Sequence, residues 1–586
     1  MDEQQTKQLE LTLAESLEVV RDLFTVIDII HVLNDTTKQT PWPEAFLAQS
    51  STTLDDNLNY TVEDLDRSKN YFDETADLQL LNLMNKKLSS DNSFDEFINC
   101  LPMESESTAV IYKEYPSLSN IPGDCVRTRT KFFYQLSVLI EKVLPTVDLS
   151  LPLGQSILMD KFRKAKIYLL HRKKYELLQQ SLEQTVATDD DSRPSVQFDT
   201  LKASYPGENG ENTMFNQAFE QLFKDASIKF RRADERLWHA TYVGMHSIDA
   251  GGPYRDSVTC ICSDICSTRL PLFILCPNGR TGSGSNQDRW IPNVFSPKES
   301  IPNIFRNQYR FVGQLMGMAI RQKHYLDLKF PTLLWKQLVR EPITLEDIEA
   351  IDMQSFTIIK EMEMQIEQSQ LIDSDTDIDF LFSSIMSELR FDVASSAGQT
   401  YELVPGGKDI PITAANFKDY CRKYREYRLN EFSRQIDFIR QGLYSMVPLY
   451  YLSLFTADEL EQAICGKGQI DVELLKKNTY YGGVSHEDSP HIQRFWTVLN
   501  DMFNEEQRKS FLIFVWGRST LPTRDADFTS KFCINPYYAS PDEIDRVLPR
   551  SHTCSFTIDL PEYSTIEIMH ERLNYAVTYC SSIDAD

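Results

Sequence analysis

Leu548-Pro549-Arg550-Ser551-His552-Thr553-Cys554 runs directly into the alternating stretch Ser555-Phe556-Thr557-Ile558-Asp559-Leu560 and then Pro561-Glu562-Tyr563-Ser564. The alternation of the second segment predicts a strand. Ahead of it, a proline-led turn carries a cysteine with hydroxyl side chains on both sides and a histidine two positions back. A thiol in that setting is kept out of the core and reactive, which makes Cys554 a nucleophile candidate. A cysteine after a turn is more often structural than catalytic, so the choice has to be carried by the rest of the chain.

The 586 residues are enough for three or four domains at about 150 residues each, with an ordinary globular composition. The formal net charge of −26, from 60 basic and 86 acidic residues, argues against nucleic acid and anionic membranes, which are held by clustered Lys and Arg. Basic protein partners are favoured instead. The start, Met1-Asp2-Glu3-Gln4-Gln5, has neither the basic lead nor the apolar core of a secretory signal. No run approaches the roughly 18 apolar residues of a membrane span. A cytoplasmic or nuclear protein is expected. Eleven cysteines, an odd number spread along the chain, suit reduced thiols better than a disulfide framework.

Residues 1–185 read as mostly helical. Leu13, Leu17, Val20, Phe24 and Ile27 recur at steps of three and four, as do Phe132, Leu136, Leu139 and Val143, so each set is expected to line a buried helix face. Ser/Asp-rich stretches at 50–56 and 89–95 read as loops, and the broken pattern across 186–212 reads as a linker. Beyond it, a helix over 215–223 leads to a strand at 238–244 and a Gly251-Gly252-Pro253 turn suited to a helix start. Gly313 and Gly317, four apart on a helix over 309–323, imply close packing against a neighbour. The Gly-rich loop 279–284 lacks the Gly-Lys-Ser/Thr ending of a phosphate cradle. The alternating aspartates of 373–379 lack the glycine and glutamate of a calcium loop, so a solvated acidic loop is expected. A long helix is expected over 414–442, a further helix closing at Gly466, and the final hundred residues as a compact α/β unit ending in a helix over 565–579.

The order of short motifs resembles a HECT-type E3 ubiquitin-protein ligase over about residues 213–586. The matching pieces are Asp249-Ala250-Gly251-Gly252-Pro253-Tyr254-Arg255, the run 311–320, Leu326-Asp327-Leu328 and Ile412-Thr413-Ala414-Ala415-Asn416. Then come Ile470-Asp471-Val472 with Asn478-Thr479-Tyr480, Phe495-Trp496, the run 511–515 with Gly517-Arg518-Ser519, and the Cys554 turn. The resemblance implies an α+β multidomain chain in which the helical N-terminal region precedes a bilobal HECT domain. Its mainly helical N-lobe, with small β elements, would span 213–482, and its α/β C-lobe 483–586. A subdomain at about 341–405 would dock a ubiquitin-conjugating enzyme, and a hinge would fall at Gly482 and Gly483, where paired glycines absorb backbone changes cheaply. Residues 1–200 faintly resemble the extension preceding the HECT domain in very large members of the family.

The implied activity is acyl transfer: Cys554 takes ubiquitin as a glycyl thioester and passes it to a lysine of a protein substrate. Such chemistry needs a thiolate and then a neutral amine, so a base is required, but no metal or cofactor. His552 would polarise the thiol or orient the acyl group, or else only brace the loop. Thr553 would position the loop near the thioester carbonyl. Phe356, Phe380 and Phe382 are large apolar residues in an acidic insertion and serve either as docking anchors for the conjugating enzyme or as the subdomain's own core. Family members of the best-known branch carry an aromatic residue four from the C-terminus, where this chain has Ile583. Three other readings compete: a cysteine hydrolase pairing Cys554 with His486 or His491, a zinc module at Cys260, Cys262, Cys266 and Cys276, and an inactive ubiquitin-binding scaffold. The absence of paired Cys-x-x-Cys knuckles favours buried thiols over zinc.

Overall fold

The computed structural model describes residues 3–579 apart from 47–59, 89–92, 102–113, 153, 188–192, 235, 245–250, 372–387, 414, 467, 484–485, 523–524, 529 and 541. The side chains of 3–15, 358, 365–371, 526 and 554 also lie outside the described set. Among the described residues, no helix is long and apolar enough to cross a membrane. The chain forms two units. The first comprises Met1–Gln184 together with Pro448–Thr456, and the second Thr185–Val447 together with Ala457–Asp586.

The first unit is helical, with long helices at Glu3–Leu33, Glu74–Leu88, Gly123–Val143 and His171–Gln184. In Gly123–Val143 the expected stripe Phe132, Leu136, Leu139 and Val143 is buried. In Glu3–Leu33 it is not: Leu17, Val20 and Phe24 are exposed, and Leu23, Val26, Ile29 and Ile30 form the inner face. Two apolar stripes share this helix, and the one that packs runs through Ile29 and Ile30 to Val32. It also carries Asp22, whose carboxylate meets Lys142 at 2.9 Å. Pro448–Thr456 is stitched into the same unit. Tyr450 donates its hydroxyl to the Leu144 carbonyl at 2.6 Å, Lys166 donates to the Phe455 carbonyl at 2.8 Å, and Leu452, Leu454 and Phe455 are buried.

The expected linker at 186–212 is instead part of the second unit. Ser195–Phe198 pairs in parallel with His239–Tyr242, Val196 opposite Ala240, and Val196 and Phe198 are buried. Four residues of polar/apolar alternation suffice for this strand, and the surrounding Ser, Asp and Gly conceal it from a composition-based reading.

Two helices, Asn303–Gln322 and Ser433–Met446, cross closely at Gly313, Gly317 and Gly442, as the glycine spacing implies. The long helix expected over 414–442 is two, Phe417–Asn430 and Ser433–Met446. Between them the buried Glu431 carboxylate turns toward the hairpin of Asp392–Ala394 and Thr400–Glu402, accepting from the Ser396 amide (2.8 Å) and hydroxyl (2.7 Å). Arg428, also buried, lies 2.8 Å from Asp352 and 3.5 Å from Glu431. Replacing Arg428 with methionine is expected to cost about 3–5 kcal/mol, because two buried carboxylates lose their counter-charge. A lowered urea midpoint checks this.

Around this network the segment expected as an inserted subdomain contributes Ile348, Phe356, Ile359, Phe391 and Val393 to a core shared with Phe417, Tyr420 and Tyr424 of the following helix. Phe356 is 1% exposed, which corrects its reading as a docking anchor: the apolar ring closes the subdomain from within. Phe380, Phe382 and the aspartates of 373–379 lie outside the described residues.

The C-terminal part carries a four-stranded sheet in the order Thr479–Tyr481, Phe532–Tyr537, Thr557–Pro561, Arg550–His552. The first three run parallel and the last is antiparallel to its neighbour. Its core joins Phe495, Phe511, Trp516, Phe532, Phe556, Ile558 and Leu573 with Ile470, Val472 and Leu475. Residues 470–475 thus pack with this core, ahead of the boundary expected at 483. The Gly482 amide donates to the Ile534 carbonyl at 2.9 Å, a Cβ there would stand 2.3 Å from Asn535 Oδ1, and Gly483 has φ +66°. Close approach and a left-handed backbone account for both glycines, which are built into the lobe they were expected to swing.

Candidate functional site

The strand Arg550–His552 passes into a single 3-10 turn, Thr553–Ser555, and the chain re-enters the sheet at Thr557. Between turn and strand stands Phe556 with φ +51°, a conformation that L residues avoid. It is held there because the Phe556 ring is fully buried and stacked on Trp516, 4.1 Å between centroids and 9° between planes. A strain of about 1–3 kcal/mol is offset by burial of the ring, and the turn is thereby pinned. The Thr557 hydroxyl donates to the Ser555 carbonyl at 3.1 Å, and Ser555 donates to the His552 carbonyl at 3.3 Å. The backbone of Cys554 lies at the centre of this turn, while its side chain is outside the described set. His552 and Ser555 on either side are exposed.

A second element reaches the turn from far away in sequence. The helix Gly252–Ile265 begins after Gly251, whose φ of +120° requires a glycine. From its first turns the buried Arg255 sends Nη1 to the Thr553 carbonyl at 3.0 Å, and one turn later the Thr259 hydroxyl donates to the Gly517 carbonyl at 3.1 Å. Close by, Lys323 meets Asp527 at 2.5 Å and Arg518 lies 4.5 Å above the Trp516 ring. His324 is buried among them. Burial first, then Arg518 and Arg255, pushes its pKa well below the ordinary histidine value, so it is neutral.

His552 Nε2 lies 2.8 Å from Asp559 Oδ2. The other carboxylate oxygen accepts from Asn535 Nδ2 at 3.3 Å. Of the residues expected at the site, the structure brings together His552, Thr553 and the Cys554 backbone. Gly482 and Gly483 belong to the neighbouring sheet edge, and Ile583 lies outside the described residues. Sequence reasoning missed Arg255 and Asp559. Arg255 enters the sequence reading only as the last residue of a matching motif, and Asp559 only as a strand residue. Strand alternation, once the hairpin register is known, would have placed Asp559 on the same face as His552.

Eight of the nine described cysteines other than Cys554 differ in kind, and the ninth, Cys100, is exposed on the helix Phe94–Cys100. Burial pushes Cys260, Cys266 and Cys421 up to about 12, Cys262 and Cys465 well above the ordinary thiol value, and Cys125, Cys276 and Cys533 upward. Thiolate is scarce at all of them. Of the residues considered for zinc, Cys262 and Cys276 are buried, and the Cys266 sulfur accepts the Lys329 amide at 3.4 Å. Among the described residues no group of three potential ligands that could hold a metal is found. His491, considered as a hydrolase base, is buried 4.0 Å from Glu562, and burial lowers its pKa.

The match to a family model falls on this part of the chain, and matches to individual proteins extend beyond it. A model described as HECT-domain (ubiquitin-transferase) matches residues 259–585. E3 ubiquitin-protein ligase HERC2 of Homo sapiens is 32% identical over 495 residues, covering 82% of this chain and 10% of its own length. Probable E3 ubiquitin-protein ligase HECTD4 of Homo sapiens is 28% identical over 501 residues, covering 79% of this chain and 12% of its own length. E3 ubiquitin-protein ligase HECW2 of Homo sapiens is 28% identical over 379 residues, covering 63% and 22% respectively. The chain thus spans about a tenth to a fifth of the length of these curated relatives. With the motif order, the cysteine turn between two strands of the C-terminal sheet and a family match over more than half its length, the chain belongs to the HECT-domain family of ubiquitin transferases.

Proposed function

We propose that this chain accepts ubiquitin from a ubiquitin-conjugating enzyme as a glycyl thioester on Cys554 and transfers it to lysines of protein substrates. The observation that carries this reading is the placement of the cysteine. Its turn is flanked by exposed residues and pinned by Phe556 from below and Arg255 from the side, whereas the thiols whose pKa burial raises are held protonated. An exposed turn lets two large acyl carriers approach in succession. The conjugating enzyme docks on the inserted subdomain at about 341–405, the N-lobe begins near 213, and the reaction takes place in the cytosol or nucleus.

The test is a trapping experiment with activating enzyme, conjugating enzyme and ubiquitin, resolved with and without reductant. A reductant-sensitive ubiquitin adduct that peptide mapping places on Cys554 is expected. Binding of ubiquitin or of the conjugating enzyme with no covalent adduct would instead make the chain an inactive scaffold.

A further inference from the structure

Resting on that reading, we infer that Asp559 is a positioning residue for the transfer step: it fixes His552 as the Nε2–H tautomer, leaving the Nδ1 lone pair to take the proton of an attacking lysine amine. The argument begins with the register. His552 pairs with Thr557 and Arg550 with Asp559 across antiparallel strands, so His552 and Asp559 are diagonal neighbours on one face. On the other side Asp559 is opposite Asn535 in a parallel pair. The carboxylate is therefore held at both oxygens, by His552 Nε2 at 2.8 Å and Asn535 Nδ2 at 3.3 Å.

An ionised carboxylate only accepts hydrogen bonds, so Nε2 must be the donor. In a neutral imidazole the other nitrogen then carries the lone pair. Two neighbouring groups have other partners, although the Cys533 thiol also feels the Asp559 charge. The Arg550 guanidinium lies 5.1 Å over the Tyr537 ring, and Cys533 donates to Asn535 Oδ1 at 3.3 Å. As a stabilising device the pair would do little, since the His552 side chain is 53% exposed and water screens such ion pairs. A carboxylate anchored by a second strand, four residues beyond a turn that carries a nucleophile, gains its meaning from orienting the ring.

The step balances without a co-reactant. The lysine attacks as the neutral amine, the C–N bond forms, and the C–S bond breaks with its electron pair leaving on the Cys554 sulfur. The proton shed by nitrogen passes to His552 Nδ1 and from there to the sulfur or to solvent.

The full chain, loaded with ubiquitin and then separated from the conjugating enzyme, is mixed with free lysine, and loss of the adduct is timed against the loading rate. Asp559→Asn and His552→Gln are each expected to lower discharge about tenfold or more relative to loading, and the double variant to be no slower than His552→Gln alone. In wild type, the nitrogen shifts of neutral His552 should report protonated Nε2, and in Asp559→Asn a mixture of tautomers. Unchanged discharge in Asp559→Asn, multiplicative losses in the double variant, or equal slowing of both steps with a lowered melting temperature would each overturn the inference, the last by assigning Asp559 to hairpin stability. Failure of the wild-type chain to load would refute the proposed function, whereas normal loading with unchanged variant discharge refutes this inference alone.

Discussion

Alanine at position 554 is expected to abolish the reductant-sensitive ubiquitin adduct and to leave the fold unchanged. The first half follows from the state of the other thiols. For Cys260, Cys262, Cys266, Cys421 and Cys465 the desolvation that raises the pKa also restricts access, so none of these five can substitute, and the exposed Cys100 lies on a helix of the first unit, far in sequence from the turn. The second half follows from what holds the turn. Phe556 on Trp516, Thr557 to the Ser555 carbonyl and Arg255 to the Thr553 carbonyl all survive the substitution. A melting shift within about 0.5 kcal/mol of wild type is therefore expected, as for a surface change. A reducible adduct persisting in Cys554→Ala would move the nucleophile to another cysteine and end this assignment.

A methyl group at position 313 should do the opposite, unfolding the scaffold with the chemistry untouched. A Cβ on Gly313 would lie 1.9 Å from the Ile439 carbonyl oxygen, and one on Gly442 the same distance from the Arg310 carbonyl oxygen. Both obstacles are backbone atoms of a packed helix, so no rotamer change relieves them. The helices Asn303–Gln322 and Ser433–Met446 would have to separate, losing contacts such as that of Gly317 against Met446. Gly313→Ala and Gly442→Ala are each expected to cost about 3 kcal/mol or more. Gly468→Ala, where a Cβ meets nothing within 4 Å, provides the control and should move stability by less than about 0.5 kcal/mol. Denaturant melts of the three variants check the contrast, and near-wild-type stability in Gly313→Ala would show that the crossing relaxes more easily than backbone contact implies.

What was legible in the sequence was what short-range pattern encodes. The buried stripe of Gly123–Val143, the close-packing glycines of Asn303–Gln322 and the helix closed at Gly466 each depend on spacing within one element. The family was legible because its motifs recur in order. Contacts set by tertiary register were not. Arg255 reaches Thr553 across 298 residues, and His552 meets Asp559 only through the pairing of two strands. Phe356 illustrates a different limit. An aromatic residue in an acidic segment has the same local pattern whether it faces a partner or closes a small core, and only the packing of Phe391 and Tyr424 around it decides. The outer stripe of Glu3–Leu33 failed for a related reason, since Leu17, Val20 and Phe24 repeat as regularly as the residues that are buried.

The nine residues Pro448–Thr456 have a consequence for biosynthesis. They belong to the first unit, yet the ribosome makes them only after residues 185–447 of the second. The N-terminal helices therefore wait, with the places of Leu452, Leu454 and Phe455 unfilled, until more than three quarters of the chain has been translated. A fragment beginning at residue 185 would carry those three apolar residues with no partner for them, and one ending at 184 would lack them. Truncations at that boundary are expected to aggregate, and nascent-chain proteolysis should show protection of the first unit arising only once residue 456 has cleared the exit tunnel.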